Sequence, residues 1–81
     1  MPFEKNQILV HNTWGECVAI RPWNERETVC LVTRTGQRHI LMNMLLKPLY
    51  AGTPNEYYIT FIDDETLAEL EARLSGGKQN K

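Results

Sequence analysis

Four side chains in this 81-residue chain are of the types that ligate metals or carry nucleophilic chemistry: His11, Cys17, Cys30 and His39. Structural zinc sites draw two ligands from one turn, as C-x2-4-C or H-x3-5-H pairs. No two of these four stand at such a spacing. A cysteine beside a histidine can act as a nucleophile with its base. Neither a Gly-rich oxyanion loop nor a third orienting group accompanies them here. Asp63-Asp64-Glu65 is a carboxylate cluster, but it opens a helical pattern, and helix capping accounts for it. The residues therefore point to a non-catalytic chain that needs no metal and no cofactor.

What remains is recognition chemistry. Trp14 and Trp23 both stand in loops at strand ends, and tryptophan buries a large area at little rotamer cost. Trp14 is expected to pack over a barrel end and Trp23 to be exposed. Arg21, Arg34 and Arg38 flank these aromatics and can meet acidic groups or phosphates. Trp14, Trp23, Arg21, Arg34 and Arg38 are thus the candidate partner-binding residues. Aromatics interleaved with cations also suit stacking on nucleic-acid bases.

Composition narrows the choice. Apolar residues make up 42% and charged residues 23%, as in ordinary globular proteins, and the net charge is −1. Dedicated nucleic-acid binders are usually strongly basic, so the charge favours a protein partner over direct nucleic-acid binding. Residues 1–50 carry six bases against four acids, and residues 51–81 carry six acids against three bases. With three bases among six acids, the second half would mimic nucleic acid poorly. The longest apolar run, residues 40–46, is broken by Asn43 and falls far short of the roughly 20 residues that span a bilayer. The first residues lack the apolar core of a secretion signal. A cytoplasmic protein without membrane contact is expected, with Cys17 and Cys30 as free, buried thiols.

The elements that position these residues follow from pattern. Strands are expected over residues 7–11, 16–21, 27–34 and 37–44. Asn12–Gly15 and Thr35-Gly36 supply turns, and Pro22 stops the second strand. In the third strand Val29 and Leu31 fall on one face, and Thr28, Cys30 and Val32 on the other. Residues 45–49 read as a helical turn or bend, and residues 51–55 as a loop. Residues 57–62 alternate as a fifth strand. Asp63 or Asp64 caps a helix over roughly residues 64–75, with Leu67, Leu70 and Leu74 as its apolar stripe and Glu69–Arg73 as an i,i+4 pair. Gly76-Gly77 is expected to end it. The fold class is mainly β: a small five-stranded SH3/Tudor-like barrel with one C-terminal helix. It forms a single domain over residues 1–76, with a disordered tail at 77–81. Dimerisation through the C-terminal strand or helix is left open.

One stretch is more specific: Val10-His11-Asn12-Thr13-Trp14-Gly15-Glu16-Cys17-Val18-Ala19-Ile20. It is followed by a second apolar strand, a Gly turn, a basic position and a strand leading to Leu46-Lys47-Pro48-Leu49. This resembles the C-terminal Tudor-like domain of UvrD/PcrA-type DNA helicases, over residues 9–49. His11, Trp14, Gly15, Gly36 and Leu49 match, and Arg38 stands near the family's basic residue. The family's second loop Gly is Cys17 here, the third strand lacks its aromatic, and residues 50–81 lie outside the pattern. The resemblance implies a protein-interaction module that docks on RNA polymerase or on repair partners. As an isolated module it would act as an adaptor or inhibitor, of the kind a phage or mobile element carries.

Overall fold

The computed structural model describes residues 3–53 and 56–79. Strands β1 (Ile8–His11), β2 (Gly15–Pro22), β3 (Glu27–Val32) and β4 (Gln37–Met42) lead into a 3-10 turn (Asn43–Leu45). Strands β5 (Leu46–Pro48), β6 (Tyr50–Thr53) and β7 (Glu56–Ile59) and helix α1 (Asp64–Gln79) follow. The first five strands form one antiparallel sheet in the order β4-β3-β2-β1-β5, and β6 and β7 pair separately. The expected class holds: mainly β, one five-stranded antiparallel sheet and one C-terminal helix.

The two turns that set the register use glycine where the backbone demands it. Gly15 and Gly36 sit at φ +81° and +72°, a region that L side chains rarely enter. Gly36 N–H and Thr35 N–H both donate to the Val32 carbonyl, closing the β3–β4 hairpin. That fixes Cys30 opposite His39 and Leu31 opposite Arg38.

β3 is apolar on both faces, so the sheet must be covered twice. On one side Cys30 and Val32 join Phe3, Leu9, Cys17, Ala19, Leu41 and Leu46 in the interior cluster. Leu41 and Leu46 come from β4 and β5, the two ends of the sheet. Four flat strand spacings would hold those ends about 19 Å apart. Only the three-residue turn Asn43–Leu45 joins β4 to β5, and those four residue steps reach at most about 14 Å, so the sheet curls around this interior. β4 and β5 do not pair with each other among the described residues. On the outer side Val18 and Leu31 are closed over by Leu67 of α1, with Ile20, Ile62 and Leu70 around them. Arg38 of β4 grips Glu71 of α1, Nε to Oε2 at 2.8 Å and Nη2 to Oε1 at 3.2 Å. Asn6 Nδ2 donates to Asp64 Oδ1 at 2.6 Å and pins the first turn.

Several expected boundaries move. Asn43 and Met44 leave β4 for the 3-10 turn, and residues 46–48 form strand β5 rather than a bend. Pro48 is tolerated there because β5 is an edge strand, with a free side on which no N–H is needed. Residues 51–53 are strand rather than loop; Pro54 and Asn55 lie outside the described residues. The fifth strand of the main sheet is therefore β5, and the segment expected to fill that place pairs locally as the β6–β7 hairpin. Beyond it the chain still runs beside β1: Ile8 N–H donates to the Thr60 carbonyl, and Ile62 N–H to that of Asn6. Helix α1 continues through Gly76-Gly77 to Gln79, past the expected stop. Of the expected tail, residues 80–81 lie outside the described residues. Glu69 and Arg73 form no ion pair; Arg38–Glu71 is the pair that the described residues make.

Two consequences are measurable. Leu31 is fully buried beneath α1. Leu31→Ala should cost about 2–5 kcal/mol in urea unfolding. Asp63 caps α1: its Oδ1 accepts the Thr66 N–H at 2.6 Å. Hydrogen bonds from the Thr66 side chain and then its amide hold the Asp63 carboxyl below its ordinary value. Its contribution to stability is thus complete above the unfolded value near about pH 4 and is lost as pH falls through the folded one. Thermal melts between neutral and strongly acidic pH should show Asp63→Ala lowering Tm at neutrality and flattening this part of the acid sensitivity. Asp63→Asn should keep the neutral-pH cap but also lose the acid dependence.

Candidate interaction surface

The five candidate residues do not form one edge. β2 separates them, with Trp14 before its first residue and Trp23 after its last. An eight-residue strand puts those ends roughly 23 Å apart.

At the first end, His11 is buried and shapes the β1–β2 turn. Its Nδ1 accepts the Thr13 N–H at 2.9 Å and the Trp14 N–H at 3.1 Å. An accepting Nδ1 carries no proton, so the neutral ring holds its proton on Nε2. Trp14, half-buried against the interior cluster, stacks on His39 with ring centroids 4.5 Å apart and planes 24° from parallel. The Arg34 guanidinium lies 5.8 Å from the Trp14 ring centre. Both histidines thus serve this end of the sheet.

At the second end, Trp23 is 51% exposed, with the Arg21 guanidinium 5.6 Å from its ring centre. The loop behind it is tied in place. Trp23 N–H donates to the Glu27 carbonyl at 2.9 Å. Asn24 Oδ1 accepts the amides of Arg26 and Glu27, both at 2.8 Å, in an Asx turn. Asn24 Nδ2 donates to Glu27 Oε1. Asn43 then ties the loop to the 3-10 turn. Its N–H donates to the Arg26 carbonyl and its Nδ2 to the Glu25 carbonyl, while its Oδ1 accepts the buried Thr28 hydroxyl at 2.6 Å.

Between these two tied segments runs an open groove. One part, about 620 Å³, is lined by Asn24–Glu27 and Met42. The adjoining part, about 450 Å³, shares Glu25, Arg26 and Met42 and reaches Asn43 and Met44. Register shows what lies beside it. Met42 stands opposite Glu27, and Ile40 opposite Val29, which in turn faces Arg21. Directly opposed residues share a face, so Ile40, Met42 and Arg21 lie on the outer face beyond the rows that α1 covers. Ile40 is 46%, Met42 44% and Met44 77% exposed. Trp23, next in the chain to the groove-lining Asn24, is exposed at the same end of the sheet, with Arg21 over its ring and Arg26 in the groove lining. Neither arginine has an ion-pair partner among the described residues.

Arg38 belongs elsewhere. Glu71 neutralises it, and that hydrogen-bonded carboxylate raises its pKa further. Cys17 and Cys30 are free, buried thiols on neighbouring strands, offset by one step of the inner face. The hydrogen bond between them, with burial adding to it, drives Cys30 well above its ordinary pKa. Cys30 is therefore held as a neutral thiol. Among the described residues no three His, Cys, Asp or Glu side chains converge as metal ligands. Nor is any helix there long and apolar enough to cross a membrane. Asn24, Arg26, Met42, Asn43 and Met44 were not singled out in the sequence. Asn43 gave one signal, as the polar residue that interrupts the run from Ile40 to Leu46.

The two tryptophans should separate on mutation. Trp23→Ala should change unfolding free energy by no more than about 0.5 kcal/mol. Trp14→Ala removes the His39 stack and part of the core cover, and should cost more than about 1 kcal/mol in the same urea titration.

No protein-family model, curated protein or solved structure matches this chain.

Proposed function

We propose that this chain is a non-catalytic protein-interaction module that docks on a nucleic-acid-processing machine, as an adaptor or inhibitor. The observation that carries the interaction part is the exposed surface of Trp23, Met42 and Met44, built on a loop that the hydrogen bonds of Asn24 and Asn43 hold in one shape. An ordered loop binds without first losing much conformational entropy. Exposed tryptophan and methionine beside unpaired arginine match the residue types that anchor protein interfaces. The net charge of −1 favours a protein over a phosphate backbone as the contact. The class of partner (RNA polymerase, or a repair or defence complex) is supported by the likeness of residues 9–49 to the helicase Tudor-like domain.

A second reading, direct nucleic-acid binding, has its own observation. Both tryptophans carry an arginine over the ring, as in aromatic platforms that stack bases. Both readings are tested by immobilising the full chain, exposing it to bacterial lysate with and without nuclease, and running Trp23→Ala beside it. A component of a transcription, repair or defence complex that survives nuclease and is lost with Trp23→Ala is the expected result. Recovery only without nuclease would overturn the docking reading. In that case, affinity for a single-stranded oligonucleotide should fall linearly with log salt.

A further inference from the structure

The main sheet ends in two edges of opposite character. β5 is three residues long and carries Lys47 and Pro48, the features that protect an edge from pairing. β4 is six residues long, has no proline, and presents Ile40 and Met42 to solvent. Among the described residues β4 pairs with β3 alone.

The hydrogen-bonding phase of β4 can be worked out. The Glu27 carbonyl accepts from Trp23 and Asn24, so Glu27 points its backbone groups away from β4. In an antiparallel strand the direction alternates, so Thr28, Cys30 and Val32 point toward β4. The Val32 carbonyl, which accepts from Thr35 and Gly36 at the hairpin, agrees with this. Their partners are Leu41, His39 and Gln37. The N–H and C=O groups of Arg38, Ile40 and Met42 therefore point outward at the free edge.

We infer that this edge pairs with β4 of a second copy of the chain, about a twofold axis at Ile40. An antiparallel pairing centred there sets Ile40 against its own counterpart and Arg38 against Met42 of the other copy. All three outward-pointing residues become bonded, giving about six inter-chain hydrogen bonds. The outer faces continue across the junction, and no like charges stand opposite each other. Arg38 is already neutralised by Glu71, and each chain carries a net charge of only −1, so repulsion is small. The isologous pairing also consumes both unprotected edges, so assembly stops at two. A single strand edge buries less than the roughly 800 Å² per partner of a standard interface. The dimer is therefore weak and depends on concentration.

Sedimentation equilibrium over a concentration series of the full chain should show the mass rising toward twice the monomer value. Ile40→Lys puts two like charges face to face at the axis, and should stay monomeric with an unchanged circular dichroism spectrum. A thiol at position 40 lies about 5.5 Å, Cα to Cα, from its mate across the axis, within disulfide range. Ile40→Cys should therefore crosslink on mild oxidation at least about tenfold faster than Met42→Cys, whose mate lies several residues away along the strand. The native thiols are buried. A wild type that stays monomeric throughout, or equal crosslinking at positions 40 and 42, would overturn the inference. So would dimerisation of a folded Ile40→Lys chain. Binding of the Trp23 surface to a partner does not enter any of these measurements, so the two readings can fail separately.

Discussion

The burial of β3 on both faces is the constraint from which the other features follow. Thr28 to Val32 are all buried, although a strand in a single sheet ordinarily has one dry side. The inner side is dried by an interior to which every strand of the curled sheet contributes, from Leu41 of β4 to Leu46 of β5, with Phe3 among them. The outer side needs a separate cover, and α1 supplies it through Leu67 and Leu70. A helix in a protein owes most of its stability to the packing of its apolar face, so the dependence is mutual. Asn6–Asp64 at its start and Arg38–Glu71 two turns on fix where it crosses. One helix covers only some of the rows of the sheet. The rows that it leaves are those of Ile40 and Met42, so the exposed patch is a consequence of how the core is closed.

A second layer of organisation is polar and sits at the ends of the strands. His11 holds one turn through two backbone amides, and Gly15 supplies the left-handed residue that lets that turn close. Asn24 and Asn43 do the same for the loop and the 3-10 turn at the opposite end, with the buried Thr28 hydroxyl as an anchor. Each of these groups satisfies backbone amides or carbonyls that no strand partner reaches. The pattern His11-x-x-Trp14-Gly15 thereby has a physical content as a turn. The histidine accepts from the amides, the tryptophan covers the interior, and the glycine reverses the chain.

Much of the architecture could be read from local chemistry. The four strands of the first half announce themselves by β-branched and apolar runs between Gly15, Pro22 and Gly36, because these residues change the backbone's own preferences. The third strand's division into two faces follows from its period of two and agrees with the two clusters. Residues 46–48 were misread because Pro48 argues against a strand locally. Only the position of β5 at a sheet edge makes the missing N–H harmless. Tyr57 to Ile62 read as a strand of the main sheet because alternation reveals that a segment is extended but not which neighbour it chooses. Gly76-Gly77 was misjudged for a similar reason: glycine lowers helix propensity without forbidding helix.

The candidate surface divides in the same way. The types and spacing of residues determined that no metal or nucleophilic constellation was legible, that two tryptophans stand at strand ends, and that glycines would place the turns. Those properties reside in single residues and their immediate neighbours. Tertiary structure decided that Arg38 is tied to Glu71, 33 residues away. It also decided that Met42 and Met44, which stand in the longest apolar run of the sequence, are exposed. These outcomes depend on which rows of the sheet α1 covers and on which strands become edges. A side chain's burial is a property of what packs over it, and in this chain the covering element comes from the other end of the sequence.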